Sequence, residues 1–440
     1  MNPVIQRLQN TLFAGQSLGI DDPNPLNWTF SKRVKSLGPE FYRKIVPSHI
    51  ILNMEYSLLG QQIRANLLLA HPVNKEQLVS QLVAALLLAE LLEQVYQNYL
   101  IVPREVARLR AQQQIYRDLL LEIKGAAPKH VPNKHPVDVG LSFSQQLRLQ
   151  TLNINLYRLL FVRTKRVLDL VSALNFSADW YRHIIGNLDK YTDPFLPHIA
   201  WFFYVPRLTT NLFLLFKHLL PGLRMDKKEK DLGWWVRFQG QMLRRWFELG
   251  NDIAWVGLGI ANCFILTGAL APIGVYLTIA FFAYDVLLSV IRTYIELNRL
   301  FVLRQQYQDA LVAKPKNKEE IEQHLEALDK QISFEMLRLG AHGMTTSLIF
   351  LAGCCAAPLF ATSPIIPLIG AIALVLVCFI NFALVPILNH YRPRDMIEVP
   401  SEGIKKLGFF AKKNEPKTEL MHSCDESQDE CPNSTVPSLL

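Results

Sequence analysis

LGAHGMTTSLIFLAGCCAAPLFATSPIIPLIGAIALVLVCFINFALVPILNHY, residues 339–391, contains no lysine, arginine, aspartate or glutamate. A water-soluble domain rarely keeps about fifty consecutive residues free of acids and bases, because its surface needs them. In a bilayer the same composition suits a spanning helix, whose backbone amides bond within the helix while its side chains face hydrocarbon. Residues 246–291 form a second stretch without a lysine or arginine. Together they point to an all-α fold: a multi-pass helical membrane protein with an N-terminal cytoplasmic helical domain.

Proline and glycine divide each stretch. Ala271-Pro272-Ile273-Gly274 interrupts the first, and Pro358 with Ser363-Pro364 interrupts the second, leaving residues 345–360 and 365–388 on either side. A proline removes an amide donor and breaks a helix, so each stretch folds back as a hairpin. The first yields halves of about eighteen residues, near the ~17–25 that a crossing needs. Four crossings in two hairpins follow. A single kinked helix or a re-entrant pair is the alternative for the first hairpin, whose halves are short.

Cations orient the hairpins. Arg237 precedes the first span with Lys227, Lys228, Lys230, Arg244 and Arg245, and Arg292, Arg299 and Arg304 follow the second. Arg338 precedes the third, and Arg392, Arg394, Lys405 and Lys406 follow the fourth. The two opposite turns carry none, so the positive-inside rule puts both termini and the central segment in the cytoplasm. The chain then divides into a cytoplasmic helical domain (1–245), a first transmembrane hairpin (246–291), a cytoplasmic helical hairpin (292–343), a second transmembrane hairpin (344–391) and a basic then acidic tail (392–440).

Two weaker apolar segments bear on this parity. Residues 78–92 are leucine- and alanine-rich but only about fifteen long, with Gln81 and Glu90 inside, which suits a core helix better than a span. Residues 199–220 carry Pro206-Arg207 near the centre, where an isolated arginine is costly in lipid, and read as an interfacial or buried helix.

The cytoplasmic parts are helical by pattern. Leu300, Leu303, Tyr307 and Ala310 repeat at three- and four-residue spacing, as do Ile321, Leu325, Leu328, Ile332 and Leu339 after the turn at residues 314–318. An antiparallel hairpin results, which either ties the two membrane hairpins together or serves as a partner-binding coiled coil. Upstream, helices are expected over residues 54–70, 76–100, 104–124, 144–174, 179–188 and 232–249, with a linker at 125–140. No alternating strand pattern and no fixed repeat is present.

The net charge of +8 comes from 46 Lys and Arg against 38 Asp and Glu. Its clusters, Lys227, Lys228, Lys230, Arg244, Arg245, Lys405 and Lys406, flank the spans and match an anionic lipid surface, as do Trp234, Trp235, Trp246 and Trp255. No recognition motif accompanies the charge, so nucleic acid is not an expected partner. Four of the six cysteines, Cys263, Cys354, Cys355 and Cys378, lie in the apolar stretches as small hydrophobes, and Cys424 and Cys431 lie in the tail. No disulfide framework is implied.

Motifs for chemistry are sparse. Gly15-Gln16-Ser17-Leu18-Gly19 has the spacing of a nucleophile elbow without the strand that would expose Ser17. His130 and His135 lack metal-ligand companions, and neither a HExxH nor a CxxC pair occurs. No catalytic, metal or cofactor site is assigned, and enzymatic activity is not expected. Inside the spans, Asp285 is accompanied by Asn262 and Asn381. An intramembrane carboxylate reads either as a proton or ion site or, with Arg292 two turns along the same face, as a local pair near the cytoplasmic interface. Gly257, Gly259 and Ala261, and the Ala352/Ala356 and Gly353/Ala357 pairs, allow helices to approach closely.

The N-terminus has no apolar core region or cleavage site, so no secretory signal peptide is expected. The tail has three prolines, scattered Ser and Thr, and the acidic run Cys424-Asp425-Glu426-Ser427-Gln428-Asp429-Glu430-Cys431 before Ser438-Leu439-Leu440. Such a segment is expected to be disordered. It resembles the C-terminal translocation signals of effectors exported by Dot/Icm type IVB secretion systems of intracellular bacteria. The resemblance implies a secreted effector inserted in a host membrane. Read from the residues alone, the chain is a non-enzymatic membrane protein whose cytoplasmic helices bind a protein or a lipid surface. A resident bacterial inner-membrane protein with a transport or envelope role is the alternative.

Overall fold

The computed structural model describes residues 2–11, 37–68, 75–123, 201–220, 227–313, 318–360 and 365–393, with residues 34, 167, 170, 183, 187, 198, 225 and 363. Among them the protein is almost entirely helical and has no strand.

Local rules start most of the helices. Helix α1 (Pro3–Thr11) begins where the Asn2 side-chain oxygen accepts the Val4 amide at 3.0 Å, an N-cap followed by proline at the first helical position. Proline opens α2 (Pro39–Leu68) and α4 (Pro103–Ile123) in the same way, with α3 (Lys75–Asn98) between them. Helix α2 passes through Pro47, so it starts well before the expected residue 54. Next come α5 (Tyr204–Leu219), the short α6 (Lys227–Asp231) and α7 (Trp234–Ile260), which Gly233 introduces at φ 83°. The helix expected at 232–249 and the first apolar span are therefore one element.

The first hairpin turns earlier than its proline. Helix α7 ends in a π-turn at Ala261–Ile265, and Gly268 adopts φ 59°, which glycine tolerates without a Cβ clash. Ala271-Pro272-Ile273-Gly274, expected to be the break, instead forms the first turn of α8 (Ala271–Ala313), where a missing amide donor costs nothing. Helix α9 (Lys318–Cys355), a 3-10 turn at Pro358–Phe360 and α10 (Ile365–Tyr391) match the second expected hairpin.

Helices α8 and α9 run 43 and 38 residues without interruption, about 65 and 57 Å at 1.5 Å per residue. They pack antiparallel throughout. Phe282 lies at Gly353, Arg338 bonds Glu296 at 3.0 Å, Arg304 bonds Asp329 at 2.7 Å, and the Tyr307 and His324 rings stand 4.4 Å apart. A Cβ on Gly353 would come within 2.7 Å of the Phe282 ring, and one on Gly370 of α10 within 2.8 Å of the Ala352 carbonyl, so both glycines set helix spacing.

The expected apolar stripe is present, but its partner differs from expectation. Leu300, Leu303, Tyr307, Ile321, Leu328 and Ile332 are buried in one core with α1 to α4. The arms of the central hairpin complete a core that the N-terminal helices begin. Side-chain amides reinforce the junction, Gln61 to Gln331 at 3.3 Å and Gln77 to Gln323 at 2.6 Å.

Among the described residues, three helical segments are long and apolar enough to cross a membrane: Lys75–Asn98, Gly268–Val312 and Ile365–Tyr391. In the first, 83% of the most apolar window is buried inside the protein, against 22% and 17% in the other two. Helix α3 is therefore the centre of the core that α1 to α4 build. The outward residues of α8, α9 and α10, among them Ile273, Leu287, Leu351, Ile369, Phe379 and Phe382, expose bare hydrocarbon. Helices α7 and α9 are not among these three; α7 carries Arg237, Arg244, Arg245, Glu248 and Asp252 along its length.

Candidate functional site

Polar groups are concentrated where α5, α7, α8 and α9 meet. The lower end of this zone is Asp285, 6% exposed on α8, whose carboxylate accepts the Trp255 indole N–H of α7 at 3.1 and 3.2 Å. Trp255 is itself wedged between Tyr204 of α5, stacked at 6.1 Å and 9°, and Phe282 of α8 at 5.5 Å. The expected local pair between Asp285 and Arg292 is not the arrangement seen. The Arg292 guanidinium bonds Glu296 at 2.8 Å and lies 4.6 Å over the Phe247 ring of α7.

Arg292 belongs to a charge-balanced cluster. Glu296 also takes Arg338 of α9 at 3.0 Å, and Arg338 bonds Glu335 at 2.7 Å. Two guanidiniums and two carboxylates thus neutralise one another across α8 and α9 and clamp them beside α7. The His342 ring sits edge-on to Phe247 at 6.1 Å. Burial, with Arg292 and Arg338 close by, lowers its pKa to about 4 and keeps the imidazole neutral.

The three expected intramembrane polar residues do not converge. Asn262 donates to Thr278 at 3.0 Å, near the far turn and about 10 Å along α8 from Asp285. Asn381 on α10 faces Thr345 of α9, whose hydroxyl lies 2.9 Å from both the Asn381 oxygen and the Ala341 carbonyl and serves one at a time. Each residue satisfies a neighbouring helix, which is how polar groups join helices in lipid. Along these bonds no continuous path joins Asp285 to Asn262 or Asn381.

The expected lipid-facing cations divide. Lys227, Lys228 and Lys230 are exposed on α6. Arg245 is 5% exposed and bonds Gln241, and Arg244 is half-buried, with its pKa lowered chiefly by that burial. Arg244 lies close to His49 of α2 and Tyr96 of α3, and Arg245 is buried, so neither is an exposed cation like the lysines of α6. Lys405 and Lys406, together with Ser17, His130, His135, Cys424, Cys431 and the acidic tail, lie outside the described residues.

Two buried charge pairs were not legible in the sequence, because their partners are far apart along the chain. Arg7 clamps Glu55 through Nε at 2.7 Å and through Nη2, and its Nη1 donates to Gln306 at 3.0 Å. Tyr307 donates to the same Glu55 at 2.6 Å, so α1, α2 and α8 meet at one carboxylate that is fully buried. The second pair is Arg207 of α5 with Asp252 of α7, where Nε lies 2.9 Å from both carboxylate oxygens and Asp252 is fully buried. The small-residue signal was legible: Trp201 lies against Gly259, where any Cβ would clash, whereas Gly257 faces open space.

Among the described residues no group of three or more His, Cys, Asp or Glu side chains is placed to hold a metal. The polar zone joins helices; it does not assemble a nucleophile with a base. No protein family, no curated protein and no solved structure matches this chain.

Proposed function

We propose that this chain is a multi-pass integral membrane protein without enzymatic activity, whose cytoplasmic helical domain is held rigidly at the membrane to bind a protein partner or the anionic lipid surface. The observation that carries this reading is the continuity of α8 and α9. Each passes without a break from bare apolar surface into the core shared with α1 to α4. A tethered domain would be joined by a polar linker; here the same helices build both halves, so the domain keeps a fixed height and orientation.

Crossings by α7, α8, α9 and α10, with both termini and Asn317 cytoplasmic, fit the cation distribution. Single cysteines at Asn10, Asn317 and Ser434 label from the cytoplasmic side only, and one at Thr362 from the opposite side only. Labelling of Asn10 and Asn317 from opposite faces overturns the topology.

The tail supports delivery by a type IVB secretion system into a host membrane. Deleting residues 420–440 abolishes translocation of a reporter fusion at unchanged protein level, and alanine at Asp425, Glu426, Asp429 and Glu430 weakens it. Transfer that survives the truncation favours the resident bacterial inner-membrane reading. Asp285 is the one observation on the side of transport, and loss of cellular function by Asp285→Asn at normal protein level supports that alternative.

A further inference from the structure

We infer that α5 is itself embedded in the bilayer, antiparallel to α7, with its outward aromatic stripe facing lipid acyl chains. The inference rests on the reading that the lower half of α7 is in the membrane. Contacts between the two helices set the depth. Asn211 donates to Glu248 at 3.2 Å, Arg207 holds Asp252, Tyr204 stacks on Trp255, and Trp201 sits against Gly259. Each step down α7 is matched by an equal step back along α5, as for two helices side by side. The His198 ring stands 5.8 Å from Phe264, close to the far turn. Measured from Phe247, which lies under the Arg292 guanidinium, Gly259 is about 18 Å deeper and Phe264 about 26 Å. His198, Trp201, Tyr204, Arg207 and Asn211 therefore lie at the same depths as the first span, within the ~30 Å hydrocarbon layer.

Side chains fit that placement. Phe202, Phe213, Phe216 and Leu220 are between 48% and 59% exposed, and with Thr209 they form one outward stripe at helical spacing. The stripe is continuous with the exposed apolar surface of α7 at Ile253 and Ile260. Arg207, which made this segment look unsuited to lipid, is not isolated: Asp252 neutralises it with a two-oxygen contact on the protein-facing side. At the cytoplasmic end, buried His218 bonds buried Glu229 at 2.8 Å, leading into the exposed lysines of α6. An aromatic stripe ending in lysines at the cytoplasmic face is the pattern of a membrane segment.

Spin labels on the full chain in vesicles of phosphatidylcholine and phosphatidylglycerol test this, with the native cysteines replaced. Labels go at Phe202→Cys, Thr209→Cys, Phe213→Cys and Leu220→Cys, with Ile253→Cys and Ile260→Cys as α7 references and Lys227→Cys as the aqueous one. Thr209 is small and exposed, so its variant keeps the test valid if an aromatic replacement perturbs folding. The ratio of collisions with oxygen to those with a water-soluble nickel complex rises several-fold from Leu220 to Phe202, and Phe202 matches Ile260. Nickel access at Phe202 and Thr209, with Ile253 and Ile260 in lipid, overturns the inference and leaves the membrane reading of α7 intact. Exclusion of both probes at Phe202 and Thr209 also overturns it, showing that protein covers the stripe. Nickel access at Ile260 overturns the membrane reading and this inference together.

Discussion

Helices α3 and α10, of 24 and 27 residues, are both apolar enough to cross a bilayer, and they face opposite surroundings. Leu82, Leu86, Leu88, Leu91 and Leu92 of α3 are fully buried against other helices, whereas Ile369, Leu376, Phe379 and Phe382 of α10 are mostly exposed. Hydropathy measures how poorly a segment suits water; it does not say whether protein or lipid replaces the water. Polar residues tell the two apart. Gln81 of α3 accepts Asn66 at 2.7 Å, and Glu90 bonds Arg117 at 2.7 Å. Helix α3 thus carries groups that only protein neighbours can satisfy. Helix α10 has Asn381 and bare hydrocarbon around it.

The same substitution on each helix is the strongest way to break this comparison. Leu86→Lys places a cation in a dry core, where burial shifts a lysine by about 3–5 pKa units and costs about 4–7 kcal/mol. Helices α1 to α4 then lose their resistance to limited proteolysis. Phe382→Lys, on a side chain that is 69% exposed, leaves the detergent-solubilised protein as stable as the parent. In a bilayer it opposes insertion by about 2.5–3.5 kcal/mol, read as reduced membrane-integrated yield. Equal loss of stability in detergent for both variants removes the distinction.

Glu55→Ala tests whether α1 to α4 and the distal arms of α8 and α9 are one unit. It strands the buried Arg7 guanidinium and the Tyr307 hydroxyl, and removing one partner of a buried pair costs about 3–5 kcal/mol. Thermal unfolding of α1 and of the distal arms of α8 and α9 shifts down together. Release of α1 alone shows that the core is divided.

Acidification separates the halves by a smaller step. Burial lowers the pKa of His49 to about 4 and that of His324 to about 3, below the ordinary value near 6.5. Between pH 6.5 and those values the unfolded chain binds more protons than the folded one. Stability is therefore complete above pH 6.5 and falls as pH drops, by about 1.4 kcal/mol per pH unit for each histidine. The melting temperature of the core built by α1 to α4 with the distal arms of α8 and α9 declines across this window, and His324→Gln reduces the slope by about half. A flat profile from pH 7 to 4 contradicts the neutral buried state.

The smallest expected effect belongs to Asp285→Asn. An amide oxygen still accepts the Trp255 indole N–H, so stability changes by less than about 1 kcal/mol. A larger loss gives this carboxylate a role beyond joining α7 to α8.

The helical class, the second hairpin with its break at Pro358, and the buried stripe of Leu300, Leu303, Tyr307, Ile321, Leu328 and Ile332 were legible along the chain. Those features follow from composition and local periodicity. The sequence also placed residues 78–92 in a core, because Gln81 and Glu90 need protein partners. Tertiary structure alone decided what the stripe packs against, where the first hairpin turns, and which cations face inward. Arg7 meets Glu55 across 48 residues and Tyr307 meets it across 252, while Arg207 finds Asp252 across 45. The cost of a buried charge depends on the partner opposite it, and no local pattern in the chain specifies that partner.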